Sequence, residues 1–174
     1  MSNSLIDQTF PPDPANLRQF RDALGRFATG ITLITTQTEN GPAGFTANSF
    51  ASVSLDPALV LWSAARASAR FPIFAAAQTY SIHILAQDQT DLVNRFVRGG
   101  AGFDGLAVTQ SADGNPVFPQ ALARFDCRQH AVHDGGDHLI ILGRVVNFAL
   151  RDGTPLLFNQ GQYGSFSSLP LLPR

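Results

Sequence analysis

Cysteine and charge are both scarce in this sequence. One cysteine among 174 residues excludes an internal disulfide and is compatible with a reducing cytoplasm. Charged residues make up only 14% of the chain, against about a quarter in a typical soluble domain. Because a chain with so few charges often hides part of its surface in an oligomer interface, we expect a homodimer.

Neither a basic excess nor a long apolar run is present. The formal net charge is −1, whereas nucleic-acid binding depends on basic patches. No segment approaches the roughly 18 consecutive apolar residues of a membrane helix, and residues 1–14 lack the apolar core of a signal peptide. We expect a cytoplasmic protein without nucleic-acid or membrane partners, with a flexible tail over 1–15 and a single domain over 16–174.

Three familiar catalytic or binding motifs are missing or out of context. The sequence has neither the Gly-x-Ser-x-Gly elbow of serine hydrolases nor a Walker loop. Residues 100–105 match the Gly-x-Gly-x-x-Gly string, but they follow a helix-like segment and lead into a strand-like one. The dinucleotide fingerprint requires the reverse order, so this segment is not predicted to be a Rossmann loop.

A metal site is also not expected. Cys127, His130 and His133 are closely spaced, but Cys127 and His130 would point to opposite faces of a strand. No second cysteine is available to complete a structural zinc site. Cys127 is therefore predicted to be a small buried residue, and His83 either a barrel-wall histidine or a haem or substrate ligand.

The hydrophobic pattern predicts short helices between strands that return through tight turns. Asn16 is the expected cap of the first helix and Gly30 its end. The predicted helices cover 17–27, 68–78 and 91–98; the predicted strands cover 31–36, 44–55, 58–63, 80–86, 121–132, 138–150 and 155–159. This order favours an antiparallel barrel with peripheral helices over a doubly wound parallel sheet.

The segment over 44–55 has an unusual composition. Its short hydrogen-bonding side chains lie among apolar residues, and none of them is ionisable; they are Thr46, Asn48, Ser49, Ser52 and Ser54. Such a run suits a neutral ring with polar edges. The spacing alone favours an ordinary half-buried strand whose hydroxyls are satisfied locally.

Together with Gly136-Asp137-His138 and Gln162-Tyr163-Gly164, this segment resembles the short-chain flavin reductase family over residues 17–166. The resemblance implies a mainly β fold with peripheral helices, an antiparallel FMN-binding split β-barrel. It also implies a homodimer that uses NADH or NADPH to reduce FMN or FAD, and that supplies reduced flavin to a separate monooxygenase. Positioning of the two rings is then the main task of the protein.

The resemblance assigns the cofactor-binding residues. Thr46, Ala47, Asn48 and Ser49 would lie at the ring edge, and Ser52, Val53 and Ser54 on the ribityl side. The loop that leads into the second helix would hold the phosphate, with Ser68 and Arg70 as first choices beside Ser63 and Phe71, and Arg66 as a further candidate. Without the resemblance, Ser68 reads equally well as a helix cap and the arginines as solvated.

The downstream motifs supply the nucleotide side. The resemblance places His138, the catalytic candidate, beside the flavin where nicotinamide stacks; from the residues alone it would be a solvated histidine at the barrel rim. Tyr163 lies near the nucleotide and Phe103 in a loop near the cofactor. Gln162 and Ser165 stand where the family often has arginines, which favours NADH.

Two other functions remain compatible with these residues. One is a flavin-binding electron carrier or redox sensor that does not turn over free flavin. The other is an enzyme that reduces a different acceptor, such as a ferric chelate or a corrinoid, through bound flavin.

Overall fold

The computed structural model of the protein describes residues 8–97 and 102–169. A 3₁₀ turn over Pro14–Asn16 precedes three short helices. The helices are α1 (Leu17–Leu24), α2 (Phe71–Ala76) and α3 (Thr90–Val97). The strands are β1 (Thr29–Gly30), β2 (Thr32–Thr38), β3 (Gly41–Ala47), β4 (Ala51–Leu55), β5 (Ala58–Ala65), β6 (Thr79–Ile84), β7 (Thr109–Gln110), β8 (Pro116–Val117), β9 (Ala123–Gly135), β10 (His138–Leu150), β11 (Leu156–Asn159) and β12 (Gln162–Ser165).

Seven strands form one antiparallel sheet in the order β3-β2-β6-β9-β10-β5-β4. The two edge strands, β3 and β4, are consecutive in the chain and are joined by residues 48–50. The sheet therefore curves until its edges are connected covalently, although they belong to opposite ends of the hydrogen-bonded order. This is the predicted antiparallel split barrel with peripheral helices, and that prediction is confirmed.

A second, three-stranded sheet in the order β1-β11-β12 lies beside the barrel. The turn between β11 and β12 reaches the end of α1, where the Gln160 N–H donates to the Gly25 carbonyl at 3.1 Å. The remaining strands β7 and β8 pair only with each other. The small sheet thus places β12 next to the barrel strands that carry the candidate site.

The barrel interior is filled by large aromatic side chains. Trp62 packs edge-on against Phe74 and Tyr80, with ring centroids 5.7 and 5.9 Å apart. All three side chains are fully buried, and burial of a side chain of this size contributes roughly 1.5–3 kcal/mol. A second buried cluster, around Phe96 and Leu33, fills the space below α3.

The predicted elements differ from the structure mainly at their ends. The prediction of one continuous strand over 44–55 is wrong, because the chain crosses between the two sheet edges at 48–50. The first helix ends at Leu24, where the Gly25 N–H caps it by donating to the Arg21 carbonyl. Asn16 does not cap that helix; its side chain donates instead to Pro11 and Asp13. The long strand over 138–150 has the predicted bounds.

The N-terminal tail and the length of the helices were also predicted from the sequence. The predicted tail over 1–15 lies partly outside the described residues, so its flexibility stays a prediction. Among the residues that the structure describes, no helix combines the length and the apolar character needed to cross a membrane.

We expect Gly44→Ala to destabilise the fold by about 1–3 kcal/mol, because an added methyl group forces a shift in a packed core. A Cβ at this position of β3 would overlap the Phe96 ring. That ring cannot move freely, since it packs against Phe103 at 4.9 Å and Phe118 at 6.0 Å. Chemical denaturation of the wild type and the variant measures the difference in the free energy of unfolding.

Gly30→Ala is the matched control. A Cβ on this glycine of β1 meets no atom of the described chain within 4 Å, so its effect should stay within about 0.5 kcal/mol. Equal unfolding midpoints for the two variants would show that the Phe96 contact does not constrain β3.

Candidate functional site

The end of β3 forms one wall of a pocket of about 200 Å³. Thr46, Ala47 and Asn48 come from this end, and Tyr163 comes from β12 of the small sheet. The remaining lining residues are Ile31, Val93 and Phe158. The structure therefore brings together three predicted ring-edge residues and the predicted nucleotide-side tyrosine.

Strand pairing positions the two walls of this pocket. Thr32 of β2 pairs with Ala47, and its hydroxyl donates to the Ala47 carbonyl at 2.8 Å. Phe158 and Tyr163 are cross-strand partners in β11 and β12, with their rings 5.8 Å apart. Tyr163 remains 43% exposed, so its ring is accessible to a ligand.

The pocket is polar at one edge, apolar at its floor and free of formal charge. Thr46 offers a hydroxyl and Asn48 an amide, whereas Ile31, Val93 and Phe158 present carbon. No carboxylate, arginine or histidine is among the described lining residues. A flat neutral ring with acceptors and one donor at its edge, such as the isoalloxazine of a flavin, fits this set of groups.

Ser49 and Ser63 are partners of each other. The Ser63 N–H donates to the Ser49 hydroxyl at 2.9 Å, and the same hydroxyl donates to the Ser63 carbonyl at 3.3 Å. These bonds fix the crossing segment 48–50 to β5. A direct role of either serine toward a cofactor stays a prediction.

The predicted ribityl residues lie on the edge strand β4. Ser52 and Ser54 pair with Val60 and Leu59 of β5, and Val53 lies at a bulge between them. None of the three is among the residues that line the pocket at the end of β3. Their contact with a cofactor therefore stays a prediction.

In the predicted phosphate loop, Arg70 donates to backbone carbonyls. Its guanidinium donates to Gly44 at 3.1 Å, to Val97 at 3.2 Å and also to Phe96. The cation thereby caps the C-terminal end of α3, where a positive charge is favourable. Burial lowers the pKa of the Arg70 guanidinium from its ordinary value.

The neighbours of Arg70 also make local contacts. The Ser68 hydroxyl accepts the Arg70 N–H at 3.3 Å, but Ser68 does not cap α2: the N-cap residue is Arg70, and no side chain caps this helix. Phe71 lies under the Arg66 guanidinium, with 5.6 Å between the guanidinium carbon and the ring centre. Phosphate binding by Ser68, Arg70 and Phe71 stays a prediction.

His138 follows the turn of the β9–β10 hairpin. Gly136 has a φ of 75° in this turn, a conformation that favours glycine. His138 Nδ1 donates to the Asp137 carboxylate at 2.8 Å, which assigns the proton to Nδ1 in the neutral ring. The hydrogen bond from His138 is the main cause that holds the pKa of Asp137 below its ordinary value.

Arg66 connects the loop after β5 to the same turn. Its N–H donates to the Asp137 carbonyl at 2.9 Å, and its Nε donates to the Gly136 carbonyl at 3.0 Å. Its Nη2 forms an ion pair with Asp134 at 2.9 Å. The hydrogen bond from Arg66 is the main cause that lowers the pKa of Asp134.

Two other predicted positions lie away from the pocket or partly outside the structure. Phe103 is half-buried and packs against Phe96 and Phe118, so its contact with a cofactor stays a prediction. Gly100 and Ala101 of the glycine-rich string lie outside the described residues. Within the described ranges, no group of three or more histidine, cysteine or acidic side chains is placed to hold a metal ion.

His83 is a structural residue of the barrel. Its Nδ1 donates to the Leu33 carbonyl at 2.9 Å, and its Nε2 accepts the Phe118 N–H at 3.2 Å. Both ring nitrogens are thus used by the backbone, and the alternative of a haem or substrate ligand is wrong. Complete burial lowers the pKa of His83 to about 4.

The sequence reasoning missed the pocket floor. Ile31 lies between β1 and β2, Val93 in α3 and Phe158 in β11, and each looks in the sequence like an ordinary core residue. Only the pairing of β11 with β1 and β12 brings Phe158 beside the end of β3. No motif in the sequence marks this floor.

The split barrel and its neutral, polar-edged pocket agree with the flavin reductase family that the sequence resembles. The family model described as "Flavin reductase like domain" matches residues 24–167. The chain belongs to this family.

Named relatives agree with the family. The chain is 52% identical to "FMN reductase (NADH) SmoA" of Agrobacterium fabrum, over 92% of each chain. It is 38% identical to "Flavin-dependent monooxygenase, reductase subunit HsaB" of Rhodococcus jostii, over 94% of this chain and 85% of the other. The solved NADH:FAD oxidoreductase SgcE6 of Streptomyces globisporus, in complex with NAD and FAD fragments, has a TM-score of 0.83 at 32% identity. That alignment covers 89% of this chain and 95% of the other.

The burial of His83 predicts a loss of stability in acid. Between pH 4 and 6.5, His83 of the unfolded chain, with a pKa near 6.5, binds a proton. His83 of the folded chain, with a pKa of about 4, stays neutral in this range. Stability from this residue is therefore complete above pH 6.5 and falls as the pH drops toward 4. The full effect is about 3 kcal/mol, measurable as the pH slope of the unfolding free energy.

His83→Gln should flatten that slope, because glutamine does not titrate. The exposed His130 of β9 provides the control: His130→Gln should leave the slope as in the wild type. A wild-type stability that is constant between pH 6.5 and 4.5 would contradict the assignment of a neutral, backbone-bonded His83.

Proposed function

We propose that the chain is an NADH-dependent flavin reductase that holds FMN at the end of β3 and supplies reduced flavin to a separate monooxygenase. The observation that carries this proposal is the pocket where Thr46 and Asn48 meet Tyr163 over an apolar floor. The relatives named FMN reductase and monooxygenase reductase subunit support it.

The pocket residues and His138, which does not line the pocket, have separate tasks in this proposal. The Thr46 hydroxyl and the Asn48 amide hydrogen-bond the polar edge of the ring, and Ile31, Val93 and Phe158 pack against its apolar part. When bound, the flavin supplies the hydride acceptor. His138, held in one tautomer by Asp137, orients the nicotinamide.

The lack of charge favours NADH over NADPH. A second cavity of about 450 Å³ adjoins Tyr163, and its other lining residues are Ala28, Leu157, Asn159, Gln160, Gln162, Gly164 and Ser165. The extra phosphate of NADPH is recognised best by arginine or lysine. The described lining of this cavity contains neither.

The same neutrality suits a cofactor that must leave. A reductase that serves a separate monooxygenase has to release the reduced flavin after each turnover. Neutral hydrogen bonds contribute about 0.5–1.5 kcal/mol each, roughly half as much as charge-assisted ones. A pocket built from neutral groups therefore permits binding without retention.

A homodimer accounts for apolar surface that one chain leaves uncovered. Leu55 at the end of the edge strand β4 is 96% exposed, and Phe148 and Leu150 of β10 are 67% and 74% exposed. Large apolar side chains exposed on neighbouring strands are expected at an interaction site. A dimer formed through these strands would also protect the unpaired edge of β4.

The buried single thiol fits the cytoplasmic location expected from the sequence.

We expect Thr46→Val to weaken FMN binding by about threefold to tenfold, the value of one neutral hydrogen bond. Valine keeps the shape of threonine but removes the hydroxyl. The flavin dependence of NADH oxidation at 340 nm and a fluorescence titration of FMN measure the change. Thr109→Val, at an exposed position of β7, is the matched control and should bind FMN as the wild type does.

The wild-type assay decides between the proposed function and its alternatives. NADH oxidation should require added flavin and rise with its concentration. A protein that retains flavin through purification and turns over no NADH would be a carrier or sensor, and a protein without either property would overturn the proposal.

We expect Phe148→Asp to convert the dimer to a monomer, because a carboxylate cannot be buried unpaired in an apolar interface. Light scattering after size-exclusion chromatography gives the mass of the particle. Gln110→Glu, which adds one negative charge on β7, should leave the dimer intact. A wild type with the mass of one chain would refute the proposed assembly.

A further inference from the structure

Arg66 occupies the point where the β5–β10 ladder stops. The last pair of this ladder joins Ala65 to His138, so Arg66 is the first residue beyond it. The turn at 134–137 extends past the ladder and is paired only within its own hairpin. Contacts from Arg66 are therefore what attach this turn to the neighbouring loop.

Three bonds make this attachment. The Arg66 N–H donates to the Asp137 carbonyl, and Nε donates to the Gly136 carbonyl. Nη2 contacts the Asp134 carboxylate, which also accepts the Gly136 N–H at 3.2 Å. Each contact falls on one of the four residues immediately before His138.

We propose that Arg66 is a positioning residue for His138, and that its role in the reaction is to fix the histidine turn against the loop that follows β5. This inference rests on the proposed function. It replaces the sequence-based expectation that Arg66 is a further phosphate candidate.

The geometry of the guanidinium argues for positioning rather than phosphate binding. Two of its donors, Nε and Nη2, are already directed to Gly136 and Asp134. The carboxylate of Asp134 offsets the charge that a phosphate would require. The planar guanidinium also lies over the Phe71 ring at 5.6 Å, which holds its orientation.

A positioning role predicts a specific kinetic pattern. In Arg66→Ala the turn loses two side-chain bonds but keeps the backbone bond to Asp137. The KM for NADH should rise about fivefold or more, with kcat at saturating NADH within about twofold of the wild type. Affinity for FMN and for riboflavin should change equally, and by less than about twofold, because neither depends on Arg66.

Arg66→Lys separates the two roles. Lysine keeps the positive charge but not the planar fork that bonds Gly136 and Asp134 together. If Arg66 positions the turn, lysine should leave the KM for NADH raised. If Arg66 binds the phosphate, lysine should restore FMN affinity, and Arg66→Ala should weaken FMN while sparing riboflavin; this pattern would overturn the inference.

Asp134→Asn tests the other side of the ion pair. Asparagine still accepts the Gly136 N–H but no longer offers a carboxylate to Arg66, so a smaller rise in the KM for NADH is expected. No change in the KM for NADH in either Arg66 variant would also overturn the inference.

The matched control is the ion pair of Arg128, a residue of β9, the strand that also carries Asp134. Arg128 forms an exposed ion pair with Asp113 at 3.3 Å and lies roughly 20 Å along β9 from the turn. Arg128→Ala should leave the KM for NADH unchanged. Unfolding midpoints of all variants distinguish a kinetic effect from a loss of folded protein.

The wild type separates failure of the inference from failure of the proposed function. A wild type that turns over no NADH with any flavin refutes the function itself. A wild type that turns over, with Arg66 variants that lose only FMN affinity, refutes the positioning role alone.

Discussion

The crossing of the chain from β3 to β4 is the constraint on which the rest of the structure depends. These strands are the two edges of the seven-stranded sheet, yet only residues 48–50 separate them. So short a connection requires the sheet to curve until its edges meet. The paired hydrogen bonds between Ser49 and the Ser63 backbone hold the crossing against β5. The site forms at this crossing because β3 ends there, which leaves its last side chains beside a gap in the barrel wall.

A gap in a barrel wall needs residues that tolerate both solvent and a ligand. Charged side chains would bind a charged ligand tightly, and large apolar ones would close the gap. Threonine, asparagine and serine have neither effect, because their side chains carry no charge and little bulk. Within the run over 44–55, Ser49 uses its hydroxyl to hold the crossing against β5, whereas Thr46 and Asn48 line the pocket. The run of short polar side chains thus serves two purposes, and its composition alone does not separate them.

The sequence predicted some strands with correct bounds and others without. The strand over 138–150 has its predicted bounds, although its pairing with β9 is interrupted by two register shifts. The strand over 44–55 was predicted as one piece because its polar pattern continues through the crossing, and only the sheet order reveals the break. The floor residue Phe158 was missed for a related reason: its contact with β3 arises from a pairing of β11 with β1 that no local pattern encodes.

The arginines show why charge is hard to assign from sequence. Two arginines and two serines in one loop suggest a phosphate site, because each offers donors. In the fold, Arg70 directs its guanidinium to the carbonyls at the end of α3 and to β3. Arg66 directs its own to the histidine turn. Both side chains therefore join the loop to neighbouring elements on either side of it. The backbone carbonyls that they bond are invisible in a sequence, since every residue has one and only the fold decides which remain without a strand or helix partner. An arginine near a cofactor loop is thus as much a candidate for organising the site as for binding the ligand, and the two roles differ in whether the cation retains free donors.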